Sequence, residues 1–201
     1  MDVRQARTRS KLRNAIYAIA AEKHVNKISV AEVARAAGIT RDTFYRHGTS
    51  PVELLASFLR EDLDDLGRSI GELPATSGTK LSVFDEPERR LLSHIAERSE
   101  IYSNALSPRL AGELHDMLSD YIEQGLILHL ERHPQIAPVL PGGLPPEEQR
   151  RMLVAYAGAG TVGAIEAWLR GENRGSVEEA ARTVIAASPE WWLGRTALAV
   201  K

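Results

Sequence analysis

Polar side chains that could bind a phosphate or a base edge are concentrated in one short stretch, residues 40–50. Guanidinium, hydroxyl, phenol and imidazole groups are concentrated there, with one carboxylate, one phenylalanine and one glycine between them. Such groups donate to phosphate oxygens, and an arginine can also offer two parallel hydrogen bonds to a guanine edge. The candidate contact residues of this stretch are Thr40, Arg41, Asp42, Thr43, Tyr45, Arg46, His47 and Ser50.

Two short predicted helices position these side chains. Ser29 can cap the first helix, and Glu32 three residues later closes a capping box, so Ser29 is both a cap and a candidate contact. Gly38 supplies the left-handed stop, Thr40 caps the second helix, and Phe44 should point inward. Two helices joined by a glycine-containing turn, the second with exposed donors, form the helix-turn-helix that reads a major groove.

The charge of the chain is distributed unevenly. Residues 1–50 carry ten Lys and Arg against four acids, a balance of +6, and the other 151 residues balance at −8. A basic N-terminal module on an acidic body favours phosphate binding at one end only. Arg4, Arg7 and Arg9 lie before or on the first turns of a helix predicted over residues 9–24, and we expect them to contact phosphates.

The remainder of the chain predicts more helices and no strands. The apolar spacing predicts helices that begin at Pro51 after a Ser50 cap, with Glu53 as capping-box partner, and at about 85, 108, 146 and 177. Residues 67–84, 103–108 and 134–146 are predicted to be loops, and residues 188–201 a tail. The predicted fold class is all-α.

Composition limits the other possibilities. The chain has 201 residues, 43% hydrophobic residues and no cysteine, which excludes disulfides and thiolate chemistry. The polar N-terminus is unlike a signal peptide and no run of 18 apolar residues occurs, so we predict a cytoplasmic protein without a membrane partner. No ordered catalytic signature is present, and we predict no enzyme activity, no catalytic residues, no metal and no cofactor.

The sequence Gly158–Gly163 spells G-x-G-x-x-G and resembles a dinucleotide-binding fingerprint. No second strand exists for a parallel sheet and few residues follow, so a seam of small residues on a helix is the favoured interpretation. We expect this seam and the last helix to form a dimer interface. Its predicted members are Gly160, Gly163, Ala164, Ala167, Val177, Ala181 and Val184.

Two further sets of side chains are candidates for ligand binding. His129 and His133 lie four residues apart and could share a metal, but without a third ligand an exposed polar face is the better interpretation. Aromatic, histidine and methionine side chains in the body could form an apolar pocket with a few polar groups. The predicted effector-binding residues are His94, Tyr102, Met117, Tyr121, Met152, Tyr156 and Trp168.

Residues 10–58, with ISVAEVARAAGITRDTFYRH followed by SPVELL, resemble the N-terminal domain of the TetR (tetracycline-repressor) family of bacterial regulators. The segments RRLLSHIAERSEIYSNAL and GAIEAWLRGENRGSVEEAA are similar to one ligand-domain subfamily. The chain departs from the pattern at Gly48, where the family usually has Phe, and at Pro51, where it usually has a phosphate-binding Lys.

The resemblance implies a DNA-binding domain over residues 1–48 and a dimerisation and effector-binding domain over 49–201. It implies a homodimeric transcriptional repressor, released from a pseudo-palindromic operator by a small apolar or aromatic effector. The alternative is a small-molecule or nucleotide-binding protein that uses Gly158–Gly163.

Overall fold

A computed structural model describes residues 3–67, 70–75, 82–107, 110–137 and 143–193. These residues form α-helices and short 3-10 turns and no strand, as the sequence predicts. Parts of the predicted loops, and residues 194–201 of the predicted tail, lie outside the described residues. The helices are α1 (Val3–Glu22), α2 (Val30–Ala37), α3 (Arg41–Tyr45), α4 (Pro51–Gly67), α5 (Asp85–Glu97), α6 (Ser99–Asn104), α7 (Gly112–Arg132), α8 (Pro146–Arg170) and α9 (Val177–Ala187).

The chain forms two compact units. The first contains Met1–Asp62 and Glu97–Met117, and the second contains Leu63–Ala96 and Leu118–Lys201. The predicted DNA-binding domain, residues 1–48, lies within the first unit, which continues beyond it into α4, α6 and the start of α7. The predicted division of the chain into functional domains stays a prediction.

The first helix is longer than its apolar stripe predicts. It begins at Val3 instead of residue 9 and ends at Glu22. The predicted core face is confirmed at Leu12, Ile16 and Ala20, none of which is exposed. The extra turns at the N-terminus carry polar and exposed side chains, so hydrophobic periodicity gave no signal for them.

The helix-turn-helix forms through the caps that the sequence predicts. The Ser29 hydroxyl accepts from the Glu32 amide at 3.3 Å, and the Glu32 carboxylate accepts from the Ser29 amide, which completes the capping box. Gly38 ends α2 with φ 64°, a left-handed conformation that glycine adopts without strain. The Thr40 hydroxyl then accepts from the Thr43 amide at 3.2 Å and starts α3.

The start of α4 follows the prediction with one difference. The helix begins at Pro51, and the Ser50 hydroxyl accepts from the Glu53 amide at 3.1 Å. The Glu53 carboxylate, however, accepts from the backbone amide of Thr49 at 2.6 Å, one residue before the predicted partner. Gly48 allows this close turn, because a Cβ there would lie 3.2 Å from the Leu54 Cβ.

A polar network ties three helices of the first unit together. Asp62 on α4 pairs with Arg13 of α1 at 2.7 Å and with Arg98, just before α6, at 3.0 Å, and it accepts from the Tyr17 hydroxyl at 2.9 Å. Desolvation by burial, followed by the Asp62 charge, raises the pKa of Tyr17 above its usual range, so this phenol stays protonated. The network therefore fixes α1 against α4 and α6 with charge-assisted hydrogen bonds.

The amide of Asn104 at the end of α6 makes a second polar tie to α1. Its Nδ2 donates to the carbonyls of Ala20 at 3.1 Å and Ala21 at 2.8 Å. Carbonyls in the last turn of a helix lack helical partners, so Asn104 serves as a C-cap supplied from another helix.

The second unit is built on α7, α8, α9 and most of α5. The helix predicted from about residue 108 begins at Gly112, whereas the predicted bounds of α8 and α9 are confirmed. Ser176 and Glu179 form a capping box at the start of α9. Gly158 brings α8 close to α7, because a Cβ at that position would lie 2.8 Å from the Glu123 Cγ.

Among the described helices, α8 has the length and apolar composition that a membrane span needs. Its uncharged stretch is interrupted by Glu166, consistent with the absence of an uninterrupted run of 18 apolar residues. Core helices of soluble proteins can have the same length and composition, and 44% of this stretch is buried inside the chain.

Candidate functional site

The outer face of α3 presents polar side chains to solvent. Arg41, Asp42 and Arg46 are exposed, and Tyr45 is 58% exposed. Phe44 is fully buried, as predicted, and its ring packs edge-on against that of Tyr45 with 5.7 Å between centroids. One buried aromatic anchor thus holds a five-residue helix whose other side chains point away from the core.

The guanidinium groups of Arg41 and Arg46 have no side-chain hydrogen bond or ion pair within the described part of the chain. Unpaired, exposed arginines next to a tyrosine can donate to phosphates and base edges without first breaking an internal ion pair. His47 is half-buried and follows the same turn.

The hydroxyl groups near α3 are engaged as helix caps. Ser29, Thr40 and Ser50 each accept a backbone N–H at 3.1–3.3 Å. The Thr40 and Thr43 hydroxyls also lie 2.9 Å apart. These side chains position the helix N-termini, and their role as direct contacts stays a prediction.

The arginines of α1 fall into two groups. Arg4 and Arg7 are exposed near the N-terminus. Arg9 is instead ion-paired with Glu61, and its guanidinium lies over the Phe58 ring, 4.6 Å from the centroid. A phosphate would have to compete with both interactions, so the structure gives Arg9 a role in holding α1 to α4 and leaves its predicted phosphate contact untested.

The predicted effector-binding residues do not form one cluster. Tyr102 and Met117 are fully buried in the first unit, whereas the others belong to the second. His94 is buried there, Trp168 and Tyr121 are half-buried, and Met152 and Tyr156 are exposed at 59% and 72%.

Tyr121 lines a small cavity of about 40 Å³ in the second unit. Its walls include Ile70, Phe84, Tyr121 and Trp192, and Glu88 of α5 contributes a carboxyl group. Oε1 of Glu88 is shut off from solvent and has no hydrogen-bond partner among the described residues. Desolvation by burial raises the pKa of Glu88 to about 7, and that of Tyr121 to about 12.

Sequence reasoning did not single out Glu88 as a functional residue. By sequence it lies in the first turn of the helix predicted from about residue 85, where a carboxylate is favoured by the helix dipole whether or not it binds a ligand. Only the packing of Tyr121 and Trp192 around it distinguishes it from Glu86, whose carboxylate is paired with Arg89 at 2.7 Å and Arg90 at 2.8 Å.

The interpretation of His129 as part of an exposed polar face is wrong, because its ring is only 2% exposed. It packs edge-on against Phe84 at 5.0 Å and lies 4.9 Å from the His133 ring. Both ring nitrogens lack hydrogen-bond partners among the described residues, and desolvation lowers the His129 pKa to about 4. His133 Nε2 contacts the Leu73 carbonyl at 2.9 Å, and the described residues contain no group of three metal ligands.

A shallow groove of about 110 Å³ runs along α8 and α9, and several predicted dimer-interface residues lie on it. Gly160, Ala164 and Val184 line the groove together with Tyr156. A Cβ at Gly160 or Gly163 would meet no atom within 4 Å, so within the chain these glycines are not close-packed. Of the other predicted members, Ala167 is exposed, Val177 is half-buried and Ala181 is buried inside the chain.

The G-x-G-x-x-G segment lies in the middle of α8. A dinucleotide fingerprint requires a strand, a tight glycine turn and a helix N-terminus that faces the pyrophosphate. A continuous helix has its amides bonded internally, so Gly158–Gly163 offers none of these features.

No protein-family model matches the sequence, and a search of curated proteins finds no match. Solved structures are similar over most of the chain. A TetR-family transcriptional regulator from Streptomyces coelicolor is 18% identical with a TM-score of 0.59, and the alignment covers 93% of this chain and 80% of that one. A putative TetR-family transcriptional regulator from Syntrophomonas wolfei is 16% identical with a TM-score of 0.58, covering 96% and 98%.

A third similar structure is the dihydroxyacetone kinase operon activator DhaS, which is 15% identical with a TM-score of 0.56 over 90% of this chain and 93% of that one. The predicted resemblance is thus confirmed for the fold. The chain has the all-helical fold of TetR-family transcriptional regulators.

Proposed function

We propose that this protein is a one-component, DNA-binding transcriptional regulator and not an enzyme. The main support for this proposal is the geometry of the α2–α3 helix pair. Its caps and the buried Phe44 hold a short helix from which Arg41, Tyr45 and Arg46 project into solvent. The +6 balance of residues 1–50 and the likeness of the fold to regulators support the same function.

Selection of bound sequences from a random DNA pool tests this proposal directly. We expect a pseudo-palindrome, because two copies related by a two-fold axis read two half-sites about one helical turn or slightly more apart. Failure to enrich any double-stranded sequence would contradict the proposal.

Substitution of Arg41 tests which face reads the bases. Arg41→Ala should weaken operator binding by about 1–3 kcal/mol and relax specificity at one position. Arg151→Ala, which removes an exposed arginine at the start of α8, is the matched control and should leave binding unchanged. An Arg4→Ala/Arg7→Ala double variant should instead weaken all sequences alike and flatten the salt dependence. Unchanged operator affinity in Arg41→Ala would contradict the assigned reading face.

We further propose that the protein forms a homodimer through α8 and α9. The unoccupied space beside Gly160 and Gly163 supports this proposal. The open space over both glycines can admit a helix of a second copy, and exposed Tyr156 and Met152 add apolar area beside it. Gly163→Leu should lower the dimer fraction in sedimentation and reduce operator binding with it. Gly112→Leu, also in open space but away from the groove, should not. A wild-type monomer at micromolar concentration would contradict this part.

The regulator is proposed to be a cytoplasmic repressor released by a small molecule. Such a ligand would bind preferentially to a dimer in which the two helix-turn-helix units do not fit the operator. It would thereby shift the population away from the DNA-bound state, with a coupling free energy of about 1–3 kcal/mol. Measuring transcription from the selected operator with and without the protein separates a repressor from an activator.

A further inference from the structure

The cavity around Glu88 contains a carboxyl oxygen whose hydrogen-bonding capacity is not satisfied. Oε1 of Glu88 is inaccessible to solvent and accepts no hydrogen bond from any described residue. When Glu88 is ionised, an oxygen without water or a donor is costly, since it has lost its hydration without gaining a partner. Oε1 is therefore a candidate acceptor for a ligand that enters the cavity.

The described walls of the cavity do not satisfy Oε1. Tyr121 and Trp192 carry neutral donors, but neither is hydrogen-bonded to Oε1, and no basic side chain is among the lining residues. Arg89 and Arg90, which follow Glu88 directly, are exposed and paired with Glu86 instead.

The remaining walls suit an organic cation. Phe84, Tyr121 and Trp192 line the cavity, and aromatic faces attract ammonium groups while their apolar bodies cover methylene groups. A volume of about 40 Å³ is a few times the 10–15 Å³ that one water needs. The space therefore fits two or three non-hydrogen atoms.

We propose that this cavity binds a short-chain primary ammonium ion, which donates to Glu88 and packs its carbon atoms against Phe84, Tyr121 and Trp192. The binding site depends on the cavity alone, whereas its use as the effector site rests on the proposed function. If this cavity is the effector site, the expected effector is not a purely apolar or aromatic molecule but one that also carries a protonated nitrogen.

Three probes of similar size and different charge test the site on the full chain: ethylammonium, ethanol and acetate, at constant ionic strength. The pH is set about one unit above the Glu88 pKa, so that the carboxyl group is ionised. At about 1.5 kcal/mol per atom at best, a three-atom ligand binds no tighter than about 0.5 mM. We expect ethylammonium to raise the melting temperature in a saturable way, and ethanol and acetate to do so at least tenfold more weakly.

Glu88→Gln should weaken ethylammonium binding about tenfold or more, because the charge-assisted hydrogen bond is lost. Glu86→Gln removes an acid from the same helix turn but leaves the cavity intact, and should bind as the wild type does. Equal binding of ethanol and ethylammonium, or wild-type affinity in Glu88→Gln, would overturn the site. The comparison of probes on wild-type protein decides the question even if Glu88→Gln does not fold.

Operator binding measured with the same samples distinguishes the ammonium site itself from its role as the effector site. Ethylammonium that binds through Glu88 and weakens operator binding supports both the site and its effector role. Operator binding without any ethylammonium binding would overturn the site and leave the regulator intact. Ethylammonium binding by a protein that enriches no DNA would overturn the effector role and contradict the proposed function, while the cavity assignment stands.

Discussion

Replacement of Glu88 by glutamine should stabilise the protein at alkaline pH. Burial raises the folded-state pKa of this carboxyl group to about 7, from 4.5 for an unperturbed glutamate side chain. The folded state therefore holds the proton more tightly than the unfolded state. The stability that this proton gives is fully present below the unfolded pKa and is lost as the pH rises through the folded pKa. Glutamine resembles the protonated form and cannot ionise.

The expected gain in the free energy of unfolding follows from the pKa shift of Glu88. A shift of this size corresponds to about 3 kcal/mol, since one pKa unit equals about 1.4 kcal/mol. The side chain as a whole is only half-buried, although Oε1 is inaccessible, so solvent recovers part of this cost. We therefore expect Glu88→Gln to gain about 2 kcal/mol over the wild type at about pH 8, and only about 0.5 kcal/mol at about pH 5, just above the unfolded pKa.

Urea unfolding of both proteins at the two pH values measures this difference, at one protein concentration because the proposed dimerisation would contribute to stability. His129, with a pKa lowered to about 4, titrates in both proteins and cancels in the comparison. Glu86→Gln is the control: the Arg90 and Arg89 guanidinium groups lower the pKa of Glu86, so this variant should show no gain at alkaline pH. A Glu88→Gln difference that is the same at both pH values would refute the assignment of an ionising, buried Glu88.

Two further substitutions test the first unit. Asn104→Ala should lower the free energy of unfolding by about 1–3 kcal/mol, because the carbonyls of Ala20 and Ala21 lose their donor; unchanged urea unfolding would contradict the capping role. Gly38→Ala should cost about 1–2 kcal/mol, because φ 64° places a Cβ against the following carbonyl, whereas Gly112→Ala, in open space on α7, should be neutral or stabilising. Equal effects of the two alanines would show that backbone strain at Gly38 is not the cause.

The proposed DNA contacts and the ammonium cavity differ in how much the sequence could reveal. Ser29, Gly38 and Thr40 act through neighbours within five residues, so their roles as caps and helix end could be predicted from spacing. Interactions of this range depend on local backbone geometry, which recurs wherever the same residues do.

The sequence alone also determined the all-helical class, most helix boundaries and the resemblance to TetR-family regulators. The helical spacing of apolar residues, with prolines and glycines at the boundaries, was enough for this. The polar first turns of α1 were missed, because no apolar residue there marks a buried face.

Only the tertiary structure decided which side chains are buried, paired or open. His129 faces Phe84 rather than solvent, Arg9 is occupied by Glu61, and Gly160 borders open space while Gly158 is close-packed. Each fact depends on residues from other helices. Helix spacing fixes the face on which a side chain lies, but desolvation and ion pairing depend on what packs against that face, and this is set by contacts between distant segments.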